Sequence, residues 1–373
     1  MGWFAASRAL WYETTDFYCL WQGARLVAEG ANPYDEARWA AATGGLHPDP
    51  SGEQRPSSCP GRYGYPLWTA LALVPFGVLP LPAAAGTWAA FSFGAAAIGT
   101  IASWRASGGA TRGLALFVAI VLSAQPLWLL VISGQITGVM LGLVGLSVFW
   151  LARGADARGG AAFGLLVLKP QIVGAFGPLV FAREALGRPR WAVAALVTLG
   201  AMLLLTIALM PSWPADWLDE VTGRRARVVT LLPTAWGLSQ DLFGTLLVAP
   251  LMIAAAAAVA WYLARGHATT VGFAAIALSL SLFAAPYAWS YDQLVLVFPW
   301  AFVFARAAAS GPGLRIRLYL AGAVVASLLP WALYAVAFSR GYETLNAAVP
   351  ALTAVVTAWA ARSDEARAVA RPA

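Results

Sequence analysis

Eight residues of this sequence combine a reactive or recognising side chain with a position that could use it: Asp16, Gln135, Lys169, Gln171, Arg224, Arg225, Tyr291 and Asp292. Asp16 opens a stretch in which Phe17, Leu20, Trp21, Ala24, Val27 and Ala28 recur at helical spacing, until Gly30 and Pro33 stop the pattern. Its carboxylate is either an N-cap for that helix or a group held at headgroup level for other use. Lys169 is the single lysine among 24 basic residues and sits inside an apolar run, beside Pro170. An ammonium in such a segment costs about 2.5–3.5 kcal/mol even on insertion scales, so it normally faces a cavity or a partner. Holding a phosphate would justify that cost; so would reaching an interface or pairing with a structural carbonyl. Gln135 and Gln171 are hydrogen-bonding groups for a cavity or for helix contacts. Arg224, Arg225 and Arg227 lie near Trp213, Trp217 and Trp236. They are a pairing set for phosphate oxygens, or a solvated loop with interfacial anchors. Asp292 follows Trp289-Ser290-Tyr291 and reads as an N-cap or, with Tyr291, as a holder of sugar hydroxyls.

These groups must be positioned by membrane helices. Sixty per cent of the 373 residues are apolar and 11% are charged, far below the charge of about 25% in soluble domains. The charges fall in short clusters between apolar runs long enough for a hydrocarbon core of about 30 Å. Lipid offers no partner to an unpaired backbone N–H or C=O, so those runs must be helical. Eleven segments are read, at 66–79, 82–104, 113–133, 135–152, 160–182, 191–210, 242–263, 270–286, 291–308, 316–338 and 344–361. The first is short and ends in prolines, and the fifth is broken at Lys169-Pro170. Recurrent Gly and Ala favour close helix packing. The expected fold is all-α and polytopic. An outward-facing stretch over 1–65, carrying an amphipathic helix laid on the membrane surface, precedes a helical domain over 66–361. That domain has a long outward loop at 211–241 and is followed by a cytoplasmic tail over 362–373.

The net charge of +7 is a topology signal rather than a nucleic-acid one. Residues 1–65 hold five arginines against seven acidic residues, while the remainder carries 19 basic and ten acidic residues in tight loops. Basic loops mark the cytoplasmic side. The loops at Arg183–Arg190, Arg265, Arg306–Arg317 and Arg362 alternate in register with the helices. Those at Arg105 and Arg112 and at Arg153 and Arg158 agree only if 66–79 and 160–182 re-enter instead of crossing. The sparse lysine content points to a GC-rich bacterial genome and hence to a bacterial plasma (inner) membrane.

An ordered series of short motifs then carries a family resemblance. Asp16-Phe17-Tyr18, Gly30-Ala31-Asn32-Pro33-Tyr34-Asp35, Tyr65-Pro66-Leu67 with Pro75 and the turn at 80–82, Gly134-Gln135, Leu168-Lys169-Pro170-Gln171 and Pro286-Tyr287-Ala288-Trp289-Ser290-Tyr291-Asp292 occur in sequence. Together they resemble glycosyltransferase family 87, the DUF2029 group of GT-C membrane mannosyltransferases, from about Asp16 to about Pro299. The family usually has a membrane helix before the aspartate and Tyr-Pro-Pro at the second tyrosine, where fifteen residues and Tyr65-Pro66-Leu67 stand here. The resemblance implies inverting transfer of a hexose, usually mannose, from a polyprenyl-phosphate donor to a hydroxyl of an envelope glycan or glycolipid. Asp16 matches the general base of such enzymes, since a sugar hydroxyl is a poor nucleophile until a placed carboxylate takes its proton. Lys169 and the arginines would meet the phosphate leaving group.

Other chemistries lack their residues. His47 and His267 lie far apart, without a zinc pattern, and no P-loop, dinucleotide glycine motif or serine elbow is present. No metal or other cofactor is expected. Cys19 and Cys59 both fall in the outward stretch and are read as free thiols first, a disulfide second. The rival readings are a transporter or flippase of a lipid-linked sugar, which would use a broken helix for its site, and a non-catalytic envelope assembly protein.

Overall fold

Backbone groups in lipid can satisfy one another only within a helix, and the apolar runs of this chain are helical almost throughout. The structure is a computed structural model describing residues 15–48, 54–57, 59, 61–223, 225–264 and 268–362. Apart from a two-stranded ribbon, Leu46–Pro48 against Gln54–Pro56, all its regular elements are helices. Among the described residues, six helices are long and apolar enough to cross a membrane: Leu81–Ala106, Pro189–Leu209, Leu246–Ala264, Ser290–Ala309, Pro312–Arg340 and Thr344–Arg362. A seventh candidate is the pair Thr111–Ser123 and Gln125–Ser133, bent by 58° at Ala124, and Thr137–Ala152 and Thr270–Ala284 are apolar but shorter. The chain divides into two compact units, one of residues 1–94, 130–136 and 198–228, the other of 95–129, 137–197 and 229–373.

The first unit contains the Asp16–Ala28 helix predicted from the sequence. Its burial goes further than one apolar face: Tyr18, Gln22 and Gly23 are buried along with Phe17, Leu20, Trp21 and Ala24. Arg25 and Glu29 remain outside as an exposed ion pair. The helix packs along Leu67–Gly77, with the Trp21 indole donating to the Leu79 carbonyl. At 11 residues, Leu67–Gly77 covers only about 16 Å at 1.5 Å per residue and is too short to cross. The sequence reading preferred free thiols, but Cys19 and Cys59 are joined as a disulfide across 40 residues. The two cysteines are distant in sequence, and the close packing of the Tyr63 ring on Gly23 of the helix helps bring them together. Reducing this bond, or making Cys59→Ser, is expected to lower stability by about 2–4 kcal/mol through freed chain entropy. Thermal melts with and without reductant check it, and coincident melts would contradict it.

In the second unit, glycines bring helices into backbone contact. A Cβ on Gly99 would meet the Leu141 carbonyl oxygen at 2.4 Å, and one on Gly145 would meet that of Gly99 at 2.4 Å, the close approach small residues permit. The segment read at 160–182 does not run straight. Asp156–Gly164, a 3-10 turn Leu165–Leu168, Pro170–Val173 and Phe176–Glu184 form a hairpin turning at Lys169-Pro170. Its ends are clasped by Arg188, which pairs with Asp156 at 3.0 Å and Glu184 at 3.2 Å. The returning arm lies along Thr270–Ala284: Thr270 donates to Glu184, and the Ser281 hydroxyl bonds the Ile172 carbonyl and the Ala175 N–H. A segment with both ends in one ionic cluster turns back on itself.

The stretch 211–241, read as a loop, is largely helical, with Trp213–Gly223, a 3-10 segment Arg225–Leu231, and Ala235–Phe243. Its tryptophans are packing residues more than surface anchors. Trp213 is buried against Trp68 at 4.9 Å, and the Trp236 indole donates to the Ala284 carbonyl.

Candidate active site

The first unit builds a carboxylate centre around Asp16. The cap position of its helix belongs to Thr15, whose side chain makes no capping bond. Asp16 is thus the first helical residue and not the cap, and its charge there suits the positive helix N-terminus. Its Oδ2 accepts the Nε2–H of Gln135 at 2.8 Å. Gln135 is 2% exposed, and its Oε1 accepts the Tyr65 hydroxyl at 2.9 Å. The Tyr65 carbonyl in turn accepts the Tyr34 hydroxyl at 2.6 Å. Burial, reinforced by the negative Asp216, pushes the Tyr34 phenol well above its ordinary range, so it stays a donor.

Gly134 explains why Gln135 can reach this point. Its φ of +66° is left-handed, and a Cβ there would stand 2.6 Å from the Phe17 Cβ, beside Asp16. Its carbonyl accepts the Trp88 indole at 2.7 Å, and Trp88 stacks on Phe17 at 6.0 Å. Gly134→Ala is expected to destabilise the protein by about 1–3 kcal/mol through overpacking and the left-handed backbone. A melt at the wild-type temperature would contradict this.

The second unit builds a buried ion pair. Pro170 starts a helical turn at its first position, where its missing N–H costs nothing, and Lys169 before it takes a non-helical φ of −137°. Lys169 is 1% exposed and donates to Asp292 Oδ1 at 2.5 Å; Asp292 is fully buried. Thr137 donates to the same oxygen at 2.9 Å, and Asp292 Oδ2 accepts the Trp289 N–H at 3.0 Å. The Lys169 ammonium lies 4.9 Å from the Tyr291 ring centre, within cation–π range. Asp292 is thus not the N-cap that the sequence suggested: Trp289 holds that place, and Asp292, at the third helical position, reaches back to the Trp289 N–H while also neutralising Lys169. It is fully buried, and both of its oxygens are engaged. The turn before it is braced by Glu343, which accepts the Ser290 N–H at 2.9 Å, and by Asn346, which donates to Ser290 Oγ at 2.6 Å.

The fold thus joins Asp16 with Gln135 in one centre, and Lys169 with Tyr291 and Asp292 in the other. Gln171 is half-buried in the turn after Lys169, with no side-chain hydrogen bond among the described residues. Arg224 lies outside the described residues, and of Arg225 only its place in the 3-10 segment is described. Sequence reasoning missed Tyr65 as a functional contact, although Tyr65-Pro66 stands among the quoted motifs. Thr137 and Glu343 carried no signal: a threonine opening a helix and a glutamate in a turn are ordinary.

A family model described as glycosyltransferase family 87 matches residues 63–289, more than half of the chain. The match begins after Asp16 and includes Tyr65, Gln135 and Lys169. No curated protein and no solved structure matches.

Proposed function

Since the chain belongs to glycosyltransferase family 87, and so is a membrane glycosyltransferase, we propose the transfer of a hexose, mannose first, from a polyprenyl-phosphate donor. The acceptor is a hydroxyl of an envelope glycan or glycolipid at the outer face of a bacterial plasma membrane. The reaction inverts the anomeric centre, with Asp16 as general base. The observation that carries this reading is the state of Asp16: a half-buried carboxylate excused from helix capping and held by Gln135. A carboxylate so held has its orientation set by the amide, as a general base requires.

The topology supports the outward placement. Taking Leu67–Gly77 and 156–184 as re-entrant and the shorter helices Thr137–Ala152 and Thr270–Ala284 as crossing, Arg105, Arg112, Arg153 and Arg158 join the later basic loops on one side. That side is the cytoplasmic one by the bias of positive charge, and the 287–292 turn and Asp16 then lie on the other. For the phosphate, Lys169 of the second unit is the contact we assign. Its charge is already accommodated in the fold by Asp292, and in so buried a place a cation acts more strongly on a phosphate than in water.

The test uses purified protein in vesicles with polyprenyl-phosphate mannose and an extracted glycolipid fraction, read by mass spectrometry. A lipid product heavier by one hexose is expected. No product from any polyprenyl-phosphate hexose would overturn the proposal. Movement of the donor across the bilayer without bond formation would establish instead the transporter, a reading favoured by the re-entrant hairpin around a buried ion pair.

A further inference from the structure

The Gln135 amide that touches Asp16 has a second end, and that end is fixed by a residue to which the proposed chemistry assigns no role. We propose that Tyr65 is a positioning residue for the Asp16 carboxylate, acting through the amide of Gln135. This rests on the reading of Asp16 as the base.

An amide offers one donating and one accepting face, whereas an ionised carboxylate only accepts. Gln135 must therefore turn Nε2 toward Asp16, which sends Oε1 the other way. There it meets the Tyr65 hydroxyl at 2.9 Å. With Gln135 2% exposed, water is a poor substitute for that hydroxyl. Without it, Oε1 loses the donor that faces it, and the amide is freer to rotate and carry Nε2 off the carboxylate.

Tyr65 is itself rigidly placed. The Tyr34 hydroxyl holds its carbonyl at 2.6 Å, Pro66 restricts its backbone, and its ring packs on Tyr63 at 5.7 Å. The Cys19–Cys59 disulfide fastens the start of the same stretch to the helix that carries Asp16, one turn along from it. Both ends of the relay are thus tied to one frame, and each hydrogen bond polarises the next.

The experiment compares transfer kinetics of the full chain carrying Tyr65→Phe, Gln135→Leu, both together, and Asp16→Asn. Tyr65→Phe is expected to lower kcat about 10-fold, the loss of one oriented hydrogen bond, with KM for donor and acceptor unchanged. The double variant is expected to equal Gln135→Leu alone, since the proposed action of the phenol on Asp16 runs through that amide. Replacing Tyr65 by p-aminophenylalanine, which keeps a donor at the ring end, is expected to restore kcat. A Tyr65→Phe protein with wild-type kcat, or a double variant whose loss is the product of the two single losses, overturns the inference. Should Tyr65→Phe yield no folded protein, Gln135→Leu carries the test, and wild-type kcat there overturns it equally. An inactive Asp16→Asn beside a normal Tyr65→Phe removes this inference alone, whereas an active Asp16→Asn removes the base assignment beneath it.

Discussion

Asp16→Asn is expected to cut hexose transfer by about 10²–10⁴-fold, the usual contribution of a placed general base, while the protein folds and binds its lipid as before. The substitution is nearly isosteric, and an asparagine oxygen can still accept the Gln135 Nε2–H that Asp16 takes at 2.8 Å. What disappears is the ability to receive a proton from the attacking hydroxyl. Because Thr15 and not Asp16 occupies the cap position, the substitution leaves the cap in place and removes the interaction of one charge with the helix N-terminus, worth about 0.3–1 kcal/mol. Single-turnover transfer measured beside a thermal melt separates the two effects. A variant that melts normally and transfers at the wild-type rate ends the catalytic assignment; one that melts early shows that Asp16 is structural.

Lys169→Met carries the second large effect, on stability. Removing the ammonium leaves the carboxylate of Asp292, with no exposed surface, supported by Thr137 and the Trp289 N–H alone. Breaking a buried pair from one side costs about 3–5 kcal/mol, because the surviving charge is uncompensated. Adding Asp292→Asn to Lys169→Met removes that charge and is expected to recover most of the stability. If Lys169 also meets the donor phosphate, the stable double variant retains a raised KM for the donor. Thermal melts of the three proteins and donor titrations decide the matter. A Lys169→Met protein as stable as wild type would show that the pair is not the uncompensated-charge problem described here.

The candidate sites were only partly visible in the sequence, for reasons that differ by residue. Lys169 announced itself because an isolated cation in an apolar run is costly wherever it lies, and Asp292 because a carboxylate after an aromatic turn has few uses. Their pairing was invisible: 123 residues separate them, and the apolar helices between them show no preferred face from which a packing direction could be read. Gln135 was visible through its glycine neighbour, yet its contact with Asp16, 119 residues away, was not. Thr137 and Glu343 look like any helix start and any turn. The break at Lys169-Pro170 showed that the helix must deviate there, but not whether it went on or came back. The clasp of Arg188 on Asp156 and Glu184 decides for return.

By itself, the order of residues determined that this protein is a bundle of membrane helices. That conclusion needs only composition and run length, since a backbone in lipid has no other way to pair its polar groups. Arginine placement, a one-dimensional signal, also pointed to one side for the loops at Arg183–Arg190, Arg265, Arg306–Arg317 and Arg362, and left open the loops at Arg105–Arg112 and Arg153–Arg158. Tertiary structure alone decided which polar groups meet, which cysteines join and which helices stop short of crossing. Those outcomes depend on how distant segments pack, and in helices apolar on every side the sequence leaves the facing residues unmarked.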